Sequence, residues 1–596
     1  MLALKPTVCE RHLAGQIHKP MSVALLLGVV WLVVIAQLLF ENWANTALTL
    51  GDSDDAMRLV EVRALLDGRG WFDLHEPRIA PPTGFDTHWS RLIDGGLWLL
   101  FAMTRPFADA AFAERLMRVV WPLLWLLPAM IGVTAMSWRL AGRHAAYAAL
   151  LLLVVGLPAF QQFRPGRIDH HNVQIALALL VLAATVWADR KPWAAWAAGL
   201  LSGLAVAIGL EGAPFVAVAG TAFVARWIAG RTTAHAITAY AMALVASMTI
   251  LFVAGTSPAF WLKPACDALA VNFLAAAWVG GIGLAVFALR FENAGAGARC
   301  AAVSAIGAIA IAAALMLEPR CLGGPFATLD PAVWPIWHSH VREIQSLVAI
   351  SRQQWVVGAA IAAYPLAALV AAAALARDAD VRRDPAFAII VVALVLATAM
   401  TVAAIRTAPY AMWLCIPVIA AAALRLNTWF NFKSLASRVA VMILLAPAVV
   451  SAGAIVIADA AGAPPVAGRA NAACFQSAGY GELARLPKGI VAADVDYGSF
   501  VLALTPHAVL AAPYHRLSAA IVGGHRVFAS PPQHARDLLR TAGVSYVLMC
   551  GDRPPEGLSD AEHRNSLWNS LQENAVPDWL EAMPRSGALA VYRVRS

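Results

Sequence analysis

Four short stretches of this 596-residue sequence collect residue types that ligate metals, move protons or grip phosphates. The first reads Gly51-Asp52-Ser53-Asp54-Asp55 and continues to Arg58, Glu61 and Arg63. The second, Arg164-Pro-Gly-Arg-Ile-Asp169-His170-His171-Asn172, sets an acid beside two histidines. The third runs Trp334-Pro-Ile-Trp-His338-Ser-His340-Val-Arg342-Glu343-Ile-Gln345, and the fourth places Arg406 in the turn Ala404-Ile-Arg406-Thr-Ala-Pro-Tyr410. Two carboxylates, a neighbouring His and a further Glu form a sound ligand set for a hard divalent cation, Mg²⁺ or Mn²⁺. An Arg beside such a site suits a phosphate. Each stretch alone also has a plainer reading. Asp52, Asp54 and Asp55 serve equally as the N-cap of a helix, and Asp169 with His170 and His171 suits a helix start. Arg406 can snorkel to lipid headgroups. Glu343 can pair with Arg342 or face water, and Glu211, in Gly209-Leu-Glu211-Gly212, is a lone acid at the end of an apolar run. The case for chemistry rests on where the stretches fall together.

That position follows from the elements around them. The chain is 60% hydrophobic and only 13% charged, against roughly a quarter charged in an ordinary globular protein. Its apolar residues come in long runs, which excludes disorder and a soluble core and points to a polytopic α-helical membrane protein. Met21 to Phe40 is long enough to cross a bilayer and follows Lys5, Arg11 and Lys19, so it reads as an uncleaved first span with the N-terminus in the cytoplasm. Further spans are expected at 112–138, 144–162, 171–188, 193–210, 212–229, 235–255, 270–289, 300–317, 355–376, 386–404, 407–425 and 436–459, about thirteen in all. Alternating the sides puts Arg139, Arg143, Arg190, Lys191, Arg226, Arg231, Arg290, Arg299, Arg377, Arg382, Arg383, Arg425, Lys433 and Arg438 in cytoplasmic loops, as the positive-inside rule requires. Leu92 to Phe107 is too short to span and reads as an interfacial or re-entrant piece of the first external loop. All four polar stretches then land on the external face. The net charge of +8 is explained by these basic loops, and no Arg-rich stripe or phosphate-cradling Gly-rich loop suggests nucleic acid as a partner.

Near residue 460 the apolar runs stop, and Ala461-Gly-Ala-Pro-Pro465 marks a linker. Residues 1–459 read as the transmembrane domain, with external loops at 41–111 and 318–354, and residues 460–596 as a small external α/β domain. Strands are expected at Gly489–Val495, Ala508–Tyr514, Val544–Cys550 and Ala588–Val594, and helices at Gln533–Ala542 and Asp560–Glu573. Of seven cysteines, Cys266, Cys321, Cys474 and Cys550 fall on the external side, where oxidation is allowed. Four cysteines permit three pairings. Cys266 with Cys321 and Cys474 with Cys550 is the expected one, and free buried thiols are the alternative.

The stretches together resemble the catalytic subunit of oligosaccharyltransferases, within the GT-C class of membrane glycosyltransferases that use polyprenyl-linked sugars. Asp54 lies where that family has the acid of its first loop, and Arg63 follows at a familiar distance. Asp169-His170-His171 is similar to the second-loop metal motif. Val341-Arg-Glu343 is similar to the motif ending in a catalytic-site Glu, and Arg406-Thr-Ala-Pro-Tyr410 to the segment holding the lipid phosphate. The resemblance implies a divalent cation on Asp54, Asp169 and His171 and a donor phosphate on Arg406. Asp54, Asp169 and Glu343 become the expected catalytic residues, with Asp52, Asp55, Arg63, His170, Glu211, His338 and His340 as secondary candidates. It further implies a polyprenyl (pyro)phosphate sugar donor, inverting transfer to a glycan, lipid or protein acceptor, and a place in a bacterial inner membrane with the site facing the periplasm. One motif departs. Where the family carries Trp-Trp-Asp-Tyr-Gly to read an Asn-X-Ser/Thr sequon, this chain has Asp494-Val495-Asp496-Tyr497-Gly498. An acceptor other than a sequon peptide is therefore expected, with protein N-glycosylation as the alternative. A multi-span transporter or a structural assembly partner also fits a polytopic chain. A transporter would place its charges inside spans, and a structural partner gives no reason for the clusters to share a face.

Overall fold

The computed structural model describes residues 21–431, 433–462, 472–551 and 559–595. Lys5, Arg11 and Lys19, and most of the expected linker, lie outside the described residues.

Residues 21–462 are almost entirely helical. Helix α1 covers Val23–Asn42, and the loop after it carries α2 (Ser53–Leu66), a two-strand hairpin β1 (His75–Glu76) and β2 (Phe85–Asp86), and α3 (Arg91–Thr104). There follow α4 (Ala110–Val154), α5 (His171–Trp187), α6 (Trp193–Ile208), α7 (Ala213–Ile228), α8 (Ala234–Gly255), α9 (Val271–Arg290) and α10 (Ala296–Leu317). After a loop of short turns come α11 (Trp355–Leu375), α12 (Pro385–Ala403), α13 (Ala408–Trp429), α14 (Leu435–Leu444) and α15 (Pro447–Ala460). Among the described residues eight helices are long and apolar enough to cross a membrane, or nine if α14 and α15, bent by 59°, count as one. Helix α10 shows why lipid must surround them. It buries only Ala310 and turns Ile309, Ile311 and Met316 outward, an apolar surface that water disfavours. The chain is a multi-pass membrane protein.

Helix α4 runs through the two spans expected at 112–138 and 144–162 and breaks in the loop expected between them, while several later spans take a more broken form than expected. The 45-residue α4 would measure about 68 Å if straight, twice the hydrocarbon core. It breaks at Ala141 and Gly142, the latter at φ 77°, a left-handed conformation that Gly adopts without penalty. The run expected to end at residue 162 leaves the α-helix at Val154, and Leu157–Phe163 continues as a 3₁₀ turn after Gly156, with Pro158 in its first turn. Helices α5, α6 and α7 have 17, 16 and 16 residues, short of the usual spanning length. The segment expected at 436–459 is split before Pro447.

Charges sort to the two ends of the bundle. At one end Arg139 bridges Asp189 at 2.6 Å and Asp384 at 2.8 Å, and Arg425 pairs with Asp378. The polar stretches at 51–63, 164–172, 209–212 and 404–410 meet at the other end. Between them, α13 is buried along most of its length against α4, α11 and α12.

The C-terminal residues build a five-stranded sheet of β3 (Ile490–Ala492), β4 (Ala508–Val509), β5 (Val544–Cys550), β6 (Leu580–Ala582) and β7 (Leu589–Val594), in the order β4-β3-β5-β7-β6. β3 pairs parallel with β4 and β5, whereas β7 runs antiparallel to both β5 and β6. Helices α16 (Gly498–Leu504), α17 (Ser518–Ala529) and α18 (Pro532–Thr541) accompany it. β6, α16 and α17 have no counterpart in the sequence expectation, and Asp560–Glu573 forms two short helices with Ser566 as the second N-cap. This sheet does not keep its core to itself. Leu59, Val60, Ile79 and Phe85 from the loop after α1 pack with Phe500, Val501, Val509 and Tyr514 in one cluster. The same loop closes the sheet edge: Ala80 N donates to Val509 O at 2.8 Å, Val509 N to Arg78 O at 2.8 Å, and Arg78 to Leu502 O at 3.0 Å. An edge strand covered in this way offers no template to other chains. Disulfides join Cys266 to Cys321 and Cys474 to Cys550.

Candidate active site

The first acidic stretch starts α2. Asp52 is its N-cap: Oδ1 accepts from Asp54 N at 3.0 Å and Asp55 N at 3.1 Å, while Asp55 Oδ2 accepts from Asp52 N at 3.2 Å. This reciprocal cap satisfies the first backbone donors of the helix. Gly51, at φ 93°, permits the approach, because a Cβ there would run into the Asp55 carboxylate. Capping thus occupies two of the three acids. The Asp54 carboxylate makes no hydrogen bond or ion pair among the described residues.

Asp55 also ties this helix to the second stretch. Its buried Oδ1 accepts from Ile168 N at 2.7 Å and Asp169 N at 3.1 Å. Arg167 then enters the group, contacting Asp52 and Asp169 and reaching Asp55 at 2.8 Å. One oxygen each from Asp52, Asp55 and Asp169 lies within 4.8 Å of the others. Asp169 is wholly buried. Its Oδ2 lies 3.1 Å from His171 Nδ1, and His171 Nε2 faces Glu211 Oε2 at 3.5 Å. Glu211 in turn lies 3.6 Å from Arg406 Nε. Arg167, Asp169, His171, Glu211 and Arg406 therefore form one continuous chain of charged and ligating groups. The His170 ring stacks on His171 at 4.5 Å and meets Trp89 at 5.8 Å.

Asp52, Asp54, His170, His171, Glu211, Glu343 and Arg406 all line one cavity of about 2260 Å³, with Asp169 directly behind its wall. Burial, then the neighbouring Asp52, Glu343 and Asp169 charges, push the Asp54 carboxyl well above the usual carboxylate range. Burial also raises Glu343, with Asp52 adding to the effect and His171 opposing it. For Asp169 burial acts in the same upward direction, but Arg167 and His171 outweigh it and hold the carboxyl well below its ordinary value. Six carboxylates, Asp52, Asp54, Asp55, Asp169, Glu211 and Glu343, thus surround the cations of Arg167 and Arg406 and the His171 ring. Hard oxygen donors in excess, an imidazole and an unpartnered Asp54 fit a divalent cation.

Other candidates sit elsewhere. Arg63 turns away from the cavity to Glu114, at 2.7 and 2.9 Å, and to the Ala503 carbonyl. His338 lines the cavity with its ring 3.8 Å from Trp334. The His340 side chain lies outside the described residues. In Asp494–Gly498, Asp494 caps a 3₁₀ turn and Tyr497 bonds Cys550 O at 3.4 Å, and Asp494, Asp496 and Tyr497 face the cavity.

Two features go beyond the sequence reading. The first is Arg167, the cation at the centre of the acids, whose place two residues before Asp169 is a readable signal. The second is a buried network in which Arg58 meets Glu61 at 2.9 Å and Asp94 at 2.7 Å, and Arg91 meets Asp94 at 2.9 Å. The Arg58 guanidinium lies 4.5 Å over the Trp89 ring. Arg91 and Asp94 begin α3, the short apolar segment read as interfacial. Its inner face buries Ile93, Asp94 and Leu97, and its outer face shows Trp98, Leu99 and Met103.

No family model and no curated protein matches the chain. Solved structures do. The oligosaccharyltransferase of Archaeoglobus fulgidus in its apo form aligns with a TM-score of 0.66 at 15% identity, over 89% of this chain and 70% of that one. Archaeal oligosaccharyltransferase AglB from Archaeoglobus fulgidus, in complex with an inhibitory peptide and a dolichol-phosphate, gives 0.65 at 14% identity, over 89% and 69%. The Archaeoglobus fulgidus enzyme in complex with Zn and sulfate gives 0.59 at 14% identity, over 88% and 68%. At this identity the likeness is one of fold. The chain shares the fold of the archaeal oligosaccharyltransferase.

Proposed function

We propose that this protein is a membrane glycosyltransferase that moves a sugar or oligosaccharide from a polyprenyl phosphate or pyrophosphate to an acceptor on the external face. The observation that carries this reading is the meeting of Asp54, Asp169 with His171, Glu343 and Arg406, from four separate loops, at one cavity beside the apolar helices. Breaking a sugar–phosphate bond builds negative charge on the departing phosphate oxygen. Arg406 holds the lipid phosphate with fixed charge and forked donors. Asp54, Asp169 and His171 would hold a divalent cation, Mg²⁺ or Mn²⁺, which when bound would supply Lewis-acid stabilisation of the same charge. Glu343, with Asp54, orients the acceptor nucleophile or takes its proton. Attack opposite the leaving phosphate inverts the anomeric carbon.

The topology that goes with this reading has about thirteen crossings, with α4 counted as two spans and α5, α6 and α7 as short ones. In a bacterium it places the site and the 460–596 domain in the periplasm. The lipid tail stays in the bilayer while the head enters the cavity. The gathering of these charges at one end of the bundle also speaks against a transporter, which needs them within its spans.

The acceptor is a glycan, a lipid or another envelope molecule. Asp494 and Val495 stand where the sequon reader has paired tryptophans, which puts a carboxylate on the cavity wall instead of an aromatic face. N-glycosylation of protein is the second reading, favoured by the fold shared with a peptide-bound oligosaccharyltransferase. The test incubates purified protein and Mn²⁺ with tritium-labelled lipid-linked sugars from the native membrane and follows release of label from the lipid. Asp54→Ala is expected to cut release about 10²–10³-fold, and unchanged release would overturn the reading. A sequon peptide in the same assay should stay unlabelled. Metal-dependent label on its Asn would move the function to protein N-glycosylation.

A further inference from the structure

Away from the carboxylate cluster, a second set of ligating side chains meets on the wall of the same cavity. His88 comes from the loop between β2 and α3, Asp267 from the loop between α8 and α9, and His515 from the turn after β4. One ligand atom from each lies within 4.8 Å of the other two. The His88 and His515 rings are 5.0 Å apart at 67°, and His515 Nε2 is 2.6 Å from Asp267 Oδ2. Arg516 forks onto the same carboxylate at 2.8 and 2.7 Å. His88 Nδ1 is sealed from solvent and has no hydrogen-bond partner among the described residues. The ion pair between Asp267 and His515–Arg516 does not explain why this third ring is brought in and left unbonded.

We propose that His88, Asp267 and His515 form a second metal site, one that takes Zn²⁺. Two imidazoles and one carboxylate are a zinc set, whereas the oxygen-rich cluster around Asp54 suits Mg²⁺ or Mn²⁺. Ligands about 2.0–2.1 Å from a tetrahedral zinc lie about 3.3 Å apart, so His515 Nε2 and Asp267 Oδ2, now 2.6 Å apart, would part slightly to admit the ion between them and His88. Arg516 then acts from outside the coordination sphere, orienting the Asp267 carboxylate as outer partners of metal ligands do. The site differs from the Asp54 cluster in what it fastens. It joins the 41–111 loop, the α8–α9 loop and the C-terminal sheet at a point where no two of them are neighbours in sequence. Asp267 follows Cys266, whose disulfide leads to Cys321, so the fastening extends to the loop carrying Glu343. A metal here holds the outer wall of the cavity together, and the inference does not depend on the glycosyl-transfer reading.

The test uses the full-length protein in detergent micelles, stripped with a chelator and then given Zn²⁺ alone. Zinc retained after desalting and the thermal unfolding midpoint are measured. The unmodified protein should retain zinc and melt at a higher temperature with it, while millimolar Mg²⁺ should not displace that zinc. Asp54→Ala should retain the same zinc. His88→Gln and His515→Gln should lose it, and the fall in affinity should exceed the roughly 10–100-fold expected for Arg516→Ala, which removes an outer partner only. His88→Gln has no Nδ1 hydrogen bond to lose, so it keeps the test decisive should His515→Gln not fold. Zinc retained undiminished by His88→Gln, or none retained by the unmodified protein, would overturn the site.

Discussion

On helix α2 two kinds of charged cluster stand one turn apart. Arg58 and Glu61 join Arg91 and Asp94 in a group of two cations and two anions, with Arg58 and Asp94 shut completely from water. Asp52, Asp54 and Asp55 join Asp169, Glu211 and Glu343 in a group where six carboxylates face Arg167 and Arg406. Burying charge is costly unless each ion finds a partner. The balanced group pairs each of its charges internally, which marks it as part of the frame. The unbalanced group opens onto a cavity and leaves Asp54 unpartnered, which marks it as a place where something cationic arrives.

Removing one member of the balanced group should therefore cost stability first. Arg58→Met leaves Glu61 without its ion-pair partner and Asp94 with Arg91 alone, a loss of about 3–5 kcal/mol, visible as a large fall in the thermal unfolding midpoint. An unchanged midpoint would erase the distinction between the two clusters. In the open group the same kind of deletion should cost function with little effect on folding. Arg406→Ala is expected to lower donor turnover by about tenfold or more, and Arg406→Lys to recover only part of it, because a point charge does not replace a planar fork. Full turnover in Arg406→Ala would return this residue to a headgroup contact.

The smallest effect is the most diagnostic. Burial, with the Asp94 charge adding and Arg58 and Arg91 opposing, raises the Glu61 carboxyl from 4.5 to about 7. Between those two values the folded protein holds a proton that the unfolded chain has released. The Glu61 contribution is thus full below pH 4.5 and is lost as pH rises through about 7. Glu61→Gln should remove this dependence, so the gap in unfolding midpoint between variant and parent should change across that window. A gap that stays constant from pH 4 to pH 8 would show that Arg58 and Arg91 keep Glu61 ionised throughout.

Much of the architecture was legible because lipid imposes a simple rule on composition: long apolar runs become helices, and the polar stretches between them gather at the ends. Asp54, Asp169, His171, Glu343 and Arg406 stood out because they fall in short stretches rich in polar residues between long apolar runs. Arg167 and the Arg58–Asp94 network were harder to see, since their partners lie tens of residues away and only the fold brings them together. Hydropathy likewise does not mark where a helix breaks. Gly156 and Pro447 interrupt runs that remain apolar on both sides, so their boundaries depend on backbone geometry. The short strand Leu580–Ala582 pairs only with β7, and three residues hold too little pattern to announce a strand.

The contact between Arg78–Ala80 and the far strand β4 also sets a clock. These residues leave the ribosome early, yet their backbone partners at Leu502 and Val509 follow more than 400 positions later. At about 5–20 residues per second, the 424 positions between Arg78 and Leu502 take roughly 20–85 s to synthesise. Throughout that interval the segment bearing Asp54 has one flank unpaired. A nascent chain cut short at any point before β4 cannot finish the wall of its own cavity. The wall of the cavity is therefore closed only after β4 has been made, whatever the order in which the helices before it fold.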